Sequence, residues 1–327
     1  MGAVLQALCR GVATTVRDWV TSVKRYRILK YPWHTAHDYE LAKLPHDFLY
    51  LSSTHRTWAL AQRPIPTNIA WVPSHRTATT DLMVLHVDQW TWQEPAKRFL
   101  FLRYRDAYEG PKIVINHGSN MVDGCSSERM RELVEGCYMV CNSETACELW
   151  DVPNSRHIRH GMSPEEWPQT DYARHEVLVV QAAGSIHGLC RNVDGVAQVE
   201  ERMPITWVGR DRQFDSFNKY RNFLQSSSIF LQPSYASANP RSRTEAMLTG
   251  LAVVTTNCNG EDEYIRNGIN GFCSNDFGEL IEFLEHLLAN PDQVRKIGTA
   301  GRDTAQRVFH INQFVDQWNE LLHEYIG

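Results

Sequence analysis

Residues 232–272 read QPSYASANPRSRTEAMLTGLAVVTTNCNGEDEYIRNGINGF. A strand is expected to end at Gln232-Pro233-Ser234, and a loop then leads to a helix starting near Pro240 and carrying Glu245. Proline suits a helix start and glycine a helix end, so the helix runs to Gly250. Leu251–Thr256 follows as a continuous apolar run, the pattern of a strand buried on both faces. Strand, loop, helix and buried strand in that order form a βαβ unit. The start of its helix presents unpaired backbone N–H groups and partial positive charge, a site fit for a diphosphate. Arg241, Ser242 and Arg243 add donors at that end. Glu245, one turn further on, offers two acceptor oxygens that suit a ribose diol.

The same alternation extends in both directions. Upstream, strands are expected at Val177–Gln181, Ile205–Val208 and Ser228–Gln232, with helices at Val193–Arg202 and Phe217–Gln225 between them. Downstream, helix Phe277–Ala289 and a final helix, about Ile311–Ile326, complete the chain. Before residue 163 a second alternating series reads as strands Arg27–Tyr31, Phe48–Leu51, Asn68–Val72, Leu82–Val87, Lys112–Asn116, Tyr138–Asn142 and His157–Arg159. Helices Ala36–Lys43, Glu94–Asp106 and Ser127–Glu135 lie among them. The polar stretch Ser163–His175 reads as a linker. The expected fold class is therefore α/β, with two Rossmann-like domains facing a cleft. The first spans residues 1–172, the second 173–310, and helix 311–327 is expected to pack back on the first. Ligands of open parallel sheets sit beyond the carboxyl ends of the strands, so the cleft is the default site.

At 327 residues, two domains are the natural division, and 43% hydrophobic residues supply their cores. The net charge of −5 gives no global attraction to nucleic acid. The eight cysteines, Cys9, Cys125, Cys137, Cys141, Cys147, Cys190, Cys258 and Cys273, form no C-x-x-C pair and read as buried apolar side chains. Residues 4–23 have helical apolar spacing, with Arg10, Arg17 and Lys24 making the segment basic. Two readings stand for it: a helix on a membrane surface or partner, and a helix packed on its own domain. Its charges interrupt any secretory apolar core. A cytoplasmic location, peripheral to a membrane on the first reading, is the expectation.

Residues 231–272 resemble the donor-binding motif of retaining GT-B glycosyltransferases, the family 4-like group also called glycosyl transferases group 1. The resemblance rests on Pro233-Ser234, Glu245-Ala246-Met247, Gly250-Leu251-Ala252-Val253-Val254, Glu263-Tyr264-Ile265 and Asn267-Gly268-Ile269-Asn270-Gly271. It implies a metal-independent hexosyl- or pentosyltransferase that uses a nucleotide-sugar, UDP-, GDP- or another, as substrate and needs no cofactor. It assigns Glu245 to the ribose. The family's other glutamate, which contacts the donor sugar, is replaced here by Ser237. It further implies a diphosphate loop at Gly184 and Ser185 with Arg191 as its cation, and a weaker contact from Arg210. His117, at the end of Lys112–Gly118, is the catalytic candidate. His34 and His37 stand on the acceptor side, where the family has a glycine-rich loop. The acceptor is left open: a glycan, a lipid-linked glycan or a modified nucleic acid. A DNA-base glycosyltransferase and a non-catalytic GT-B-like binding protein are the rival readings, the latter suggested by Ser237. His86, within a strand, reads as packing.

Overall fold

The computed structural model describes residues 24–54, 56–119, 124–180, 192–235, 237, 239–257 and 264–327. The basic helix of residues 4–23, the diphosphate loop with Gly184, Ser185 and Arg191, and the acidic Glu261–Glu263 lie outside the described residues.

The N-terminal sheet contains β1 (Arg27–Lys30), β2 (Asp47–Leu51), β3 (Ile69–Val72), β4 (Leu82–Val87), β5 (Lys112–Asn116), β6 (Tyr138–Cys141) and β7 (Ser155–His157). Their order across the sheet is β3-β2-β1-β4-β5-β6-β7, and every pairing is parallel. The C-terminal sheet contains β8 (Arg174–Val180), β9 (Ile205–Val208), β10 (Ser227–Gln232), β11 (Ala252–Thr255) and β12 (Phe272–Cys273). It is also parallel, in the order β12-β11-β10-β8-β9. These are the two doubly wound strand orders, so the expectation of two Rossmann-like domains holds.

Parallel strands joined by helical crossovers are covered on both faces and read as unbroken apolar runs. All six residues of β4 and all six of β10 are buried accordingly. Alternate side chains of one strand enter different cores: Leu29 and Leu49 pack on one side of the first sheet, Ile28 and Phe48 on the other. The second sheet is covered likewise, with Leu178 and Phe230 on one side and Val177 and Ile229 on the other.

The first domain carries helices α1 (Thr35–Leu41), α2 (Pro95–Ala107), α3 (Ser127–Leu133) and α4 (Glu144–Trp150). The second carries α5 (Val193–Glu200), α6 (Phe217–Ser226), α7 (Arg241–Thr249), α8 (Phe277–Ala289) and α9 (Pro291–Val308). The last helix, α10 (Ile311–Ile326), buries Phe314, Trp318, Leu321 and Leu322 in the first domain's core beside Ile28, Phe48 and Val84. The chain thus crosses between domains twice. The crossings are hydrogen-bonded to each other, Met162 N donating to Phe309 O at 2.8 Å and Ile311 N to Met162 O at 3.0 Å.

Two helices escape the sequence reading. Helix α4 is one short segment capped by Ser143, whose hydroxyl accepts from Ala146 N. Helix α9 contains Gly298 and Gly301, residues that lower intrinsic helix propensity. Both are points of close approach: a Cβ on Gly298 would lie 2.1 Å from Gly250 O, and one on Gly301 3.0 Å from Asn270 O.

The stretch read as a linker is a packed strap. Trp167 is fully buried, Thr170 N donates to Thr249 O at 2.7 Å, and Asp171 N donates to Gln225 O at 2.9 Å. Its Glu166 accepts from Tyr39 Oη at 2.7 Å and Lys43 Nζ at 2.9 Å, reaching the first domain. The stretch joins the two domains, and backbone donors and one tryptophan decide its packing. Among the described residues, no helix is long and apolar enough to cross a membrane.

Candidate active site

In each sheet the strand order reverses at one point, between β1 and β4 and between β8 and β10. The loops leaving such neighbouring strands diverge, opening a crevice at the strands' carboxyl ends. The two crevices meet in an interdomain cavity of about 660 Å³, within the usual range of small-molecule sites. His34, His37, Arg63 and His117 line it from the first domain, and Ser237, Arg241, Ser242 and Glu245 from the second.

On the C-terminal wall, α7 begins at Arg241 after Pro240, which gives the helix start no side-chain cap. Among the described residues, none of the three enclosed guanidinium nitrogens of Arg241 has a hydrogen-bond partner. Its nearest countercharge is Glu40 of α1, with Nη2 3.6 Å from Oε1. Burial lowers the Arg241 pKa to about 10, against the pull of Glu40. A guanidinium in this state gains from any anion that supplies oxygens. Ser242 Oγ donates to Gln232 Oε1 at 3.0 Å, tying the helix start to the end of β10.

One turn later Glu245 is held at both oxygens. Arg63 of the first domain bonds Oε1, and Tyr220 Oη donates to Oε2 at 2.7 Å. Arg63 is 2% exposed and lies over the Phe217 ring, 4.1 Å from its centroid. Burial opposes its charge, yet Glu245 and Glu40 hold its pKa above the ordinary arginine value. The Tyr220 hydroxyl is pushed well up by burial and by Glu245, so it remains a donor.

The N-terminal wall is a group of aromatic rings at the ends of β1, β4 and β5. A fully buried Lys30–Asp38 pair shapes the turn after β1, where Asp38 also accepts from Trp33 N at 2.9 Å. This turn positions His34 and places Trp33 in stacked contact with His86 and His117, with centroids 5.5 and 6.0 Å apart. His117 Nε2 lies 3.0 Å from His86 Nδ1, and the His37 ring meets His117 edge-on at 5.0 Å. Burial drives the pKa of His37, His86 and His117 well below 6.5, and neighbouring positive groups reinforce it. His34 is lowered to about 4, by burial and then Arg241. At neutral pH these imidazoles are uncharged hydrogen-bonding groups. Among the described residues, no group of three or more His, Cys, Asp or Glu is arranged to hold a metal ion.

Seven of the residues singled out from sequence therefore share one cavity: His34, His37, His117, Ser237, Arg241, Ser242 and Glu245. Two donor-side candidates lie elsewhere. Arg210 follows a glycine turn on the outer surface and pairs with Glu200 and Asp211. Arg243 points from α7 into its own domain, fully buried, donating to Thr255 Oγ1 at 3.3 Å and Tyr264 Oη at 2.5 Å. On a helix, positions two apart face different directions, so Arg241 and Arg243 cannot share the cavity. Sequence reasoning missed Arg63, Tyr220 and the polar role of His86. Arg63 stands in a loop without a motif, and only the tertiary fold brings it to Glu245.

Two doubly wound parallel domains facing a cleft, with the start of α7 and Glu245 on its wall, have the GT-B architecture. Residues 211–304, within the C-terminal domain, match the family described as "Glycosyl transferases group 1". The chain is similar to a sucrose synthase of Thermosynechococcus vestitus, 34% identical over 104 residues, which are 30% of this chain and 13% of that protein. It is similar to an alpha-maltose-1-phosphate synthase of Mycolicibacterium smegmatis, 28% identical over 130 residues, which are 37% of this chain and 33% of that protein. The matched segment thus spans a third or less of these relatives. Among solved structures, HepE of Anabaena in complex with UDP and glucose superposes with TM-score 0.66 at 13% identity, covering 91% of this chain and 100% of that one. Sucrose-phosphate synthase from Thermosynechococcus elongatus gives TM-score 0.63 at 12% identity, covering 92% and 99%. The GT-B fold therefore extends over both domains.

Proposed function

We propose that the protein is a glycosyltransferase that moves a sugar from a nucleotide-sugar to an acceptor, with retained anomeric configuration and without a metal. One observation carries this reading: α7 presents at its start the Arg241 guanidinium, which has no hydrogen-bond partner among the described residues, and the doubly anchored Glu245 one turn later, both on the interdomain cavity. The spacing suits a diphosphate at the helix start and a ribose beside the carboxylate. HepE, which shares the fold, is seen with UDP and glucose, and this supports a uridine nucleotide as the first donor to test.

In this reading Arg241 and the helix start stabilise negative charge as it develops on the departing diphosphate. Arg191 adds a second cation by its place in the sequence. Glu245, an acceptor-only carboxylate, takes the ribose hydroxyls. The neutral His117 hydrogen-bonds the donor sugar, and Ser237 offers a hydroxyl where the family places a carboxylate. The acceptor approaches past His34 and His37. Closing the domains around the donor excludes water and limits hydrolysis.

The test is a thermal-shift panel of UDP-, GDP-, ADP- and TDP-sugars, combined with an assay for released nucleoside diphosphate. A ligand at a hundred times its Kd adds about 2.7 kcal/mol to the native state and raises Tm measurably. The proposal requires a shift from at least one nucleotide-sugar, and its loss in Glu245→Ala. No shift and no nucleoside diphosphate from any donor refute it.

A further inference from the structure

His86 sits near the carboxyl end of β4, where its place within a strand suggests packing alone, yet it bonds the histidine nearest the proposed chemistry. We infer that His86 is a positioning residue: it donates from Nδ1 to His117 Nε2 and so fixes His117 as the tautomer whose Nδ1–H is offered to the cavity. The inference rests on the glycosyltransferase reading only for what the cavity binds. The tautomer itself follows from the geometry.

The two ring nitrogens lie 3.0 Å apart, so one proton lies between them. A neutral imidazole has one N–H and one bare nitrogen, and the bond made at one nitrogen sets the state of the other. Both rings are neutral at physiological pH because they are buried. For His86, Lys30 and Arg56 place further positive charge around the ring. Two arrangements remain. If His117 donated, His86 would need its proton on Nε2. That atom is enclosed and has no partner among the described residues, and His86 is 0% exposed. An N–H buried without an acceptor forfeits its full solvation, and such orphans are rare in native proteins. If His86 donates, its Nε2 is a bare nitrogen, and the remaining N–H belongs to His117, a residue that lines the cavity. The second arrangement leaves no donor stranded.

The surroundings hold both rings in place. Trp33 stacks on His86 and His117 at interplanar angles of 10° and 20°. The two imidazoles lie at 29° to each other with centroids 5.3 Å apart. Backbone bonds fix the ends: His86 N donates to Tyr31 Oη at 3.3 Å, and His117 N donates to Val87 O at 2.8 Å. Neither ring can turn without breaking this stack. His117 therefore meets a ligand as a preset donor, suited to a sugar hydroxyl or ring oxygen and unsuited to act as a base through Nδ1.

The experiment is a ring-nitrogen NMR spectrum of the full chain with ¹⁵N-histidine, assigned by the signal lost in His117→Gln. The expected wild-type spectrum has His117 protonated at Nδ1. His86→Asn keeps an N–H donor close to the same place and is expected to preserve that signature. His86→Leu removes the donor and is expected to shift His117 toward the Nε2–H form. In turnover, measured as nucleoside diphosphate release, His86→Leu is expected to lower kcat about tenfold or more with donor KM changed less than about twofold, while His86→Asn recovers most of the rate. An Nε2–H tautomer in the wild type overturns the inference, as does identical ring and kinetic behaviour of the two variants. If His86→Leu does not fold, the wild-type and His86→Asn spectra decide. Absence of turnover with every donor sinks the transferase reading alone, because the ring spectra need none.

Discussion

Truncating Arg63 is the most informative perturbation, since this side chain joins the first domain to the carboxylate proposed for the ribose. Its side chain is 3% exposed and that of Glu245 6%. Removing one member of a buried ion pair leaves the other charge uncompensated, which costs about 3–5 kcal/mol. Glu245 would keep Tyr220 Oη at 2.7 Å and borders the cavity, so the lower end applies: about 3 kcal/mol for Arg63→Ala, or roughly 5 °C in Tm for a chain of this size. Glu245→Gln and the double variant complete a thermodynamic cycle measured by urea unfolding. The coupling is expected to favour the intact pair by about 2 kcal/mol, with the double variant more stable than Arg63→Ala. The same geometry fixes the sign for ligand binding. An ionised carboxylate has about four lone-pair sites. Arg63 and Tyr220 use one on each oxygen, leaving one on each for a diol. Arg63 therefore orients Glu245 without blocking it, and Arg63→Ala should weaken nucleotide binding about tenfold, some 1.4 kcal/mol by calorimetry. An additive cycle, or tighter nucleotide binding in Arg63→Ala, would refute this reasoning.

The two arginines of α7 should separate by phenotype: Arg241→Ala is expected to abolish the nucleotide-sugar thermal shift while changing Tm little, and Arg243→Ala to lower Tm by several degrees as Tyr264 and Thr255 lose their buried partner, both read by scanning fluorimetry. Stability should fall on acidification. His37, His86 and His160 are buried with pKa values well below 6.5, so between their unfolded pKa near 6.5 and their folded values the unfolded chain binds more protons. Their combined slope is at most about 4 kcal/mol per pH unit and is absent above pH 7. Equal urea midpoints at pH 7 and pH 5.5 would contradict it. Gly161→Ala would set a Cβ 2.5 Å from Phe314 Cβ and 3.1 Å from Ile311 Cα, forcing α10 off the paired crossings. A loss of about 1–3 kcal/mol is expected, checked by chemical denaturation.

Much of the fold could be read because parallel α/β proteins write their strands as apolar runs. Leu82–Val87 and Lys112–Asn116 were placed to the residue on that basis, as was helix Phe277–Ala289 from its own periodicity. Composition is silent on how α9 and the strap between the domains pack. Gly298 and Gly301 admit neighbouring carbonyls and interrupt nothing. The strap after residue 163 is polar in composition yet satisfied by backbone partners. At the site, α7 was legible because a helix start, an arginine and a glutamate at fixed spacing have a local meaning. The spacing alone did not tell which arginine faces the cavity. Arg241 and Arg243 differ by roughly 200° around the helix axis, and only the position of the sheet decides which one is buried behind it.

The N-terminal wall resisted reading for a deeper reason. His34, His86 and His117 follow or occupy three different strands, β1, β4 and β5, and they become neighbours only because those strands are adjacent in the sheet. No sequence spacing encodes that adjacency. The topology does: once β1, β4 and β5 are ordered by right-handed crossovers, their carboxyl ends must converge at the reversal point. A histidine near any of them is then brought to the cleft whether or not it belongs to a motif. The same reasoning accounts for Arg63, delivered to Glu245 from the loop between β2 and β3. The C-terminal wall is specified by a local motif and the opposite wall by strand order. Substitutions on the two sides should accordingly behave differently. Changes in α7 act on one bound group at a time. Changes at Trp33 or His86 move several rings together, because each is stacked on the next.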